Sequence, residues 1–232
     1  TFSANGRTKT NWRFGLNCAI ILASGNSTRF NSEIPKQFHK LNGYMLMDYP
    51  IQTFSKCNEI DRLIIVVPEK YCSEIQKEYP NHSVVSGGSS RKESVLNGLL
   101  ACPTETKKVL IHDAARALVD KSTIIRCING LDGAKAVSTA MPAMDTVVET
   151  NEDIIVNMPN RNRMYLEQTP QGFHYQTLLK AHKTIQVDTT DDIRLVNELG
   201  IKCVTVEGNE NNFKITTRLD YQMAEILLKE RR

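Results

Sequence analysis

Several patterns that would fix a function quickly are missing from this 232-residue chain. Its six cysteines (Cys18, Cys57, Cys72, Cys102, Cys127, Cys203) never fall two or three residues apart and mostly sit among apolar neighbours. That excludes a zinc-ribbon spacing and argues for small core residues in a reducing compartment rather than a disulfide framework. His39, His82, His112, His174 and His182 likewise lack metal-ligand spacing. No apolar run approaches a membrane span, so no membrane partner is expected. A net charge of +3, from 29 scattered basic residues against 26 acidic ones, is too small to argue for nucleic acid. There is no internal repeat, low-complexity tract or convincing domain boundary. The expectation is one domain over residues 17–232. Residues 1–16, polar and acid-free with Arg7, Lys9 and Arg13, read as a disordered extension, either expression-derived or the remnant of an organelle transit peptide. A plastid-type organelle follows in the second case, and the cytoplasm of a bacterium otherwise.

What is present is centred on residues 18–37. An apolar run, Cys18 to Leu22, predicts a buried parallel strand. It breaks into Ala23-Ser24-Gly25, small residues that let a backbone pass close to a ligand, and two cations follow, Arg29 and Lys36. A strand ending in a small-residue loop with two cations suits a polyphosphate. Neither common phosphate-loop signature is there. No Gly-Lys-Ser/Thr closes a P-loop, and Gly25 lacks the second and third glycines of a dinucleotide fingerprint.

Further strands are expected over 62–67, 83–86, 108–112, 134–140 and 202–206. Helices are expected over 46–54, 69–79, 92–102, from 122, over 175–184, from about 191 and over 219–228. Ser90 and Glu93 have capping-box spacing. This alternation predicts an α/β fold, a Rossmann-like and mostly parallel sheet flanked by helices. Residues 141–170 break the pattern. Two short strands, 146–150 and 154–158, around Asn151-Glu152-Asp153 read as a protruding β-hairpin arm of the kind that packs on a second subunit.

Three strand-end loops carry polar residues: 23–36, 87–94 and 113–116. Gly87-Gly88, followed by Ser89, Arg91 and Ser94, can receive a base or ribose, or can be a plain β–α turn. Asp113, after Val109-Leu110-Ile111-His112, is placed to hold Mg²⁺ or a ligand hydroxyl, or to cap a helix. Lys214, in the apolar segment Asn212-Phe213-Lys214-Ile215-Thr216, needs either an anionic partner or an exposed edge. With no nucleophilic Ser–His or Cys–His arrangement suggested, phosphoryl or nucleotidyl transfer by positioning and charge stabilisation is the simplest chemistry.

The motifs together resemble the 2-C-methyl-D-erythritol 4-phosphate cytidylyltransferase family and its close relative, ribitol-5-phosphate cytidylyltransferase. They are residues 22–30, Pro35-Lys36-Gln37-Phe38, Gly87-Gly88 with Arg91 and Ser94-Val95, and His112-Asp113-Ala114-Ala115-Arg116. Gln168-Thr169-Pro170-Gln171, Thr190-Asp191-Asp192 and residues 212–216 follow in family order. The resemblance implies an Mg²⁺-dependent, homodimeric enzyme that transfers CMP from CTP to a polyol phosphate and releases pyrophosphate. Arg29, Lys36 and Lys214 would stabilise the transition state. Leu22, Ala23, Ser24, Gly25, Gly87, Gly88, Ser89, Ser94 and Ala114 would hold CTP. Asp113, Arg116, Thr146, Arg161 and Thr169 would hold the acceptor, Arg161 and Thr169 reaching in from the partner's arm region. Asp113 is also the candidate metal ligand, with Mg²⁺ held mainly by the CTP phosphates. Ser24, Ser27, Ser89 and Ala117 depart from the family's usual residues, none of them removing a charged catalytic group. More segments side with methylerythritol phosphate than with ribitol phosphate as acceptor. A sugar-phosphate transferase using UTP or GTP and a non-catalytic nucleotide-binding module on the same fold are the alternatives.

Overall fold

The computed structural model describes residues 15–25, 34–187, 189 and 191–230. At its centre lies the predicted apolar run, β1 (Leu16–Leu22), with Cys18 to Ile21 fully buried. The hairpin β2 (Lys40–Leu41) and β3 (Tyr44–Met45) leads to α1 (Asp48–Ser55), which carries Pro50 in its first turn. Then come β4 (Arg62–Val67), a 3-10 turn over Glu69–Tyr71 running into α2 (Cys72–Glu78), β5 (Ser83–Ser86), α3 (Arg91–Leu100) and β6 (Thr106–Asp113). The second half supplies α4 (Lys121–Gly130), β7 (Ala136–Pro142), β8 (Glu149–Asn151), β9 (Ile154–Asn157), β10 (Tyr165–His174), α5 (Tyr175–Thr184), α6 (Asp192–Glu198), β11 (Val204–Glu207) and α7 (Arg218–Glu230).

Seven strands form one sheet in the order β11-β7-β10-β6-β1-β4-β5. All neighbours are parallel except those of β10, which runs antiparallel to both β6 and β7. Alternate side chains of β1 face opposite layers. Ala19 and Ile21 pack with α1, α2 and α4, while Cys18 and Ile20 pack with α3, α5 and α6. A smaller cluster ties α7 to Leu41, Leu118 and Ile215. The chain leaves β1 towards β4 and β5, then returns to add β6 on β1's other side. The crevice beyond the carboxyl ends of β1 and β6 is therefore the switch point where open α/β sheets bind ligands.

Three expectations need correction. Residues 165–170 are not part of the excursion expected over 141–170. They belong to β10, a strand near the middle of the sheet, so the arm is confined to the segment between Pro142 and Tyr165. The arm's first strand also starts later than expected, at Glu149 rather than at residue 146, and it pairs antiparallel with β9 across a turn where Glu152 takes a φ of 52°. The capping box is half made. The Ser90 hydroxyl accepts from the Glu93 amide at 3.1 Å, but the Glu93 carboxylate accepts from Ser89 rather than from the Ser90 amide.

Candidate active site

A cleft of about 370 Å³ opens at the switch point. β1 delivers Leu22, Ala23, Ser24 and Gly25 to its wall, β6 delivers Asp113 and Ala114, and the β5–α3 turn delivers Gly88 and Ser89. Two cations enter from elsewhere in the chain. Lys36 comes from a 3-10 turn, and Lys214 from the segment before α7. Lys36 donates from Nζ to the Ile215 carbonyl at 2.6 Å, so the two lysine-bearing segments are tied across 179 positions of sequence.

The small-residue walls pack tightly. A Cβ on Gly87 would lie 2.3 Å from the Ser24 Cβ, so glycine there lets the first loop approach the β5–α3 turn. The Ser24 hydroxyl donates to Ser94 Oγ at 2.9 Å, and Ser94 Oγ also accepts from the Gly88 amide at 3.0 Å. Gly87 itself is not part of the cleft wall; its amide donates to the Val67 carbonyl. Gln37, which the sequence reading left unassigned, is buried and donates to the carbonyls of Ala23 at 2.6 Å and Gly25 at 3.0 Å. Its position beside Lys36 in Pro35-Lys36-Gln37 was the available signal.

Charge is concentrated at Asp113. Its Oδ2 accepts from Lys214 Nζ at 2.6 Å, and its Oδ1 lies 3.9 Å from Arg91 Nε. Burial alone would push this carboxyl up, but the Lys214 ammonium and the Arg91 guanidinium outweigh it and hold it well below the usual carboxylate range. Both expectations for Lys214 are therefore met at once: it has an anionic partner, and its side chain is 41% exposed to the cleft. Arg91 is anchored in turn by Asp192 Oδ2 at 2.6 Å, and Asp192 Oδ1 accepts from His182 Nε2 at 2.8 Å.

His112, in no proposed role from the sequence, holds the loop after β6 in shape. A carbonyl can only accept, so Nε2 carries the hydrogen to the Arg116 oxygen at 3.2 Å, and Nδ1 accepts from the Thr169 hydroxyl at 3.0 Å. Thr169 Oγ1 in turn accepts from the Asp113 amide at 3.0 Å. Burial pushes the His112 pKa down to about 4, which keeps the ring neutral. Thr169 is thus buried in β10 against its own chain's Asp113. This corrects the expectation that it reaches in from a partner, because the polar partners of its hydroxyl are at home. Arg116 donates to the carbonyls of Asn212 at 2.9 Å and Glu167 at 3.1 Å, facing the base of the arm rather than lining the cleft. Thr146 and Arg161 lie exposed on the arm, Arg161 donating to the Met144 carbonyl at 3.2 Å. Arg29 and Ser27 lie outside the described residues.

A model of 2-C-methyl-D-erythritol 4-phosphate cytidylyltransferase matches residues 17–230. The chain belongs to that family. An enzyme of that name from Streptomyces avermitilis is 36% identical over 92% of this chain and 92% of its own. One from Caldanaerobacter subterraneus is 36% identical over 91% of this chain and 98% of its own. A crystal structure of 4-diphosphocytidyl-2C-methyl-D-erythritol synthase from Anaerococcus prevotii, 28% identical, superposes with a TM-score of 0.82 over 94% of this chain and all of that one. The family match covers every motif on which the cleft is built, from β1 to the segment around Lys214.

Among the described residues no group of three His, Cys, Asp or Glu side chains is placed to hold a metal ion unaided, and no helix is long and apolar enough to cross a membrane. A lone carboxylate in a phosphate-sized cleft fits a magnesium ion that draws its remaining ligands from substrate phosphates and water.

Proposed function

We propose that this protein transfers CMP from CTP to 2-C-methyl-D-erythritol 4-phosphate, making a cytidine diphosphate alditol and pyrophosphate for isoprenoid precursor synthesis. The observation that carries this reading is the meeting of Lys36 and Lys214 at one cleft beyond β1, beside loops narrow enough to take a nucleotide. A phosphate oxygen of the acceptor attacks the α-phosphorus of CTP, a P–O bond forms, and the bond to the β-phosphate oxygen breaks as pyrophosphate leaves. The acceptor phosphate is already anionic, so no general base is required. The work of the protein is to align three phosphates and to stabilise the charge that builds on the α-phosphate. Lys36 and Lys214 supply that charge here, and Arg29 is assigned the same role from the family motif. The loop of Ala23, Ser24 and Gly25, with Gly88, Ser89, Ser94 and Ala114, receives the nucleotide. Mg²⁺, entering with CTP and held mainly by its phosphates, would neutralise phosphate charge, with Asp113 the carboxylate that lines the cleft.

The acceptor side is assigned to Asp113, with Arg116 on the loop after β6 and Thr169 on β10 beside it, and to Thr146 and Arg161 from the arm. Thr146 and Arg161 serve the cleft of a second subunit in this reading, which makes the enzyme a homodimer. The support is the arm's surface: Met144, Ile154, Ile155, Val156 and Met158 are all more than half exposed. Exposed apolar side chains gathered on one short arm fit an interaction surface.

The test is pyrophosphate release from CTP and Mg²⁺ with methylerythritol phosphate, and separately with ribitol 5-phosphate. Release with the first acceptor is expected; release with neither overturns the reading. Competition among the four nucleoside triphosphates separates CTP from UTP or GTP use, and nucleotide binding without turnover would indicate a binding module.

A further inference from the structure

Lys214 spends one of its three ammonium hydrogens on Asp113 at 2.6 Å and shares its charge with that carboxylate, so its full charge reaches a phosphate only as that pair loosens. If Lys214 simply left, the nearly buried Asp113 carboxylate would lose the one cation that hydrogen-bonds it and keep only more distant positive charge. The structure provides a second cation for it. Arg91 stands at the start of α3, lines the same cleft, and keeps its Nε 3.9 Å from the Asp113 oxygen that Lys214 does not use. That separation is an ion pair but too long for a hydrogen bond, so it can shorten. The Asp113 backbone is pinned through its amide to Thr169 Oγ1, which leaves the carboxylate's own rotation as the available movement.

Arg91 is also held where it can wait. Its NH1 is fixed at 2.6 Å to Asp192, whose side chain is 1% exposed and whose other oxygen is held by the buried His182. His182, from α5, reaches the cleft only through this chain of contacts. The three residues come from the start of α3, the start of α6 and the last turn of α5, so one contact line joins three elements to Asp113.

We infer that Asp113 exchanges partners during the reaction: Arg91, held in place by Asp192 and His182, takes over the Asp113 carboxylate as Lys214 moves onto the nucleotide phosphates. Arg91, Asp192 and His182 are positioning residues in this scheme, and Lys214 is the catalytic one. No bond is made or broken; two charge-assisted hydrogen bonds are traded. The inference rests on the cytidylyltransferase reading, because it needs a polyphosphate to draw Lys214 away.

The direct test is a crystal structure of the wild-type protein with CTP and Mg²⁺. The expected result has Lys214 on the triphosphate and Asp113 within hydrogen-bond distance of Arg91. CTP bound with Lys214 still on Asp113, or with Arg91 turned from it, overturns the exchange and leaves the functional reading intact. Failure of CTP to bind at all overturns both. Kinetics supply the second arm. Arg91→Met and His182→Leu should lower kcat by roughly tenfold or more, as misplacement of a reacting group does, with KM for CTP within about threefold of wild type. His182→Gln, which keeps an N–H for Asp192, should recover most of the His182→Leu loss. In an Asp113→Asn background the Arg91→Met factor should shrink several-fold, since position 113 then needs no compensation and only the loss at Asp192 is left. A factor that persists undiminished in that background would make Arg91 merely structural and sink the inference.

Discussion

His112 shows how one buried neutral ring can organise a charged site. It joins the Arg116 carbonyl to the Thr169 hydroxyl, and Thr169 joins it to the Asp113 amide. Burial disfavours the charged ring, and protonation would put a second donor against Thr169, so its folded-state pKa of about 4 lies below the ordinary 6.5. Above pH 6.5 both folded and unfolded chains hold the ring neutral, and stability is unaffected. As pH falls from 6.5 towards 4 the unfolded chain takes up a proton that the folded one refuses, so stability drops, by roughly 3 kcal/mol at 1.4 kcal/mol per pH unit. Asp113 and Asp192 are both held below the ordinary 3.8 and add their losses only at lower pH. Urea unfolding at pH 7 and pH 4.5 should show the drop, and His112→Gln should start less stable but lose less across the interval. An equal loss in both proteins would remove His112 as its source. At the same scale, Lys214→Ala should cost on the order of a hundredfold in kcat, the usual effect of deleting one preorganised charge that acts on a transition state. A near-wild-type rate of pyrophosphate release would take Lys214 out of the mechanism.

At the scale of elements, what was legible in the sequence and what was not divide along a physical line. β1 and β4 announce themselves because a parallel strand buried on both faces is a continuous apolar run between breakers. β10 does not. Its Tyr165-Leu-Glu-Gln-Thr-Pro-Gln-Gly-Phe-His carries polar residues and a proline inward. They can be buried only because distant groups satisfy them: Gln168 donates to the Asn209 carbonyl at 2.9 Å, and Gln171 to Asp191 at 2.6 Å. Hydrophobic periodicity cannot see such partners. The site divides in the same way. Lys36 and Lys214 were legible as cations in motifs. The Arg91–Asp192 pair was not, because it spans 101 positions and exists only once α3 and α6 meet. The packing of α4 over β10 is equally hidden. A Cβ on Gly172 would fall 2.8 Å from the Cys127 Sγ and 3.1 Å from Leu131 Cδ1. Gly172→Ala should therefore destabilise by about 1–3 kcal/mol, the range for overpacking a filled core. Adding Cys127→Ala should return part of it, because the two residues share one volume. Additive losses in denaturant melts would show that the contact is not the cause.

For the whole molecule the decisive question is whether one chain makes one site. Lys36, Lys214 and Asp113 are brought together within a single chain, whereas Thr146 and Arg161 stand on an arm that, among the described residues, joins none of the core clusters. On β9 the side chains alternate, so Ile154 and Val156 share one face, 70% and 55% exposed. If that face is the seat of a second subunit, Ile154→Asp with Val156→Asp should yield a monomer by light scattering. The circular dichroism and thermal melting of the sheet should be unchanged, since neither side chain touches a core cluster. CTP binding by calorimetry should stay within about threefold of wild type, because the described residues assigned to the nucleotide all come from one chain. Pyrophosphate release should fall by on the order of a hundredfold, as it does when an acceptor loses the groups that orient it. The pattern matters more than any one number. A monomer that keeps full activity would place Thr146 and Arg161 outside the acceptor site. A variant that stays dimeric would move the interface away from the arm. Only a monomer that binds CTP and does not turn it over fits a site closed by its neighbour.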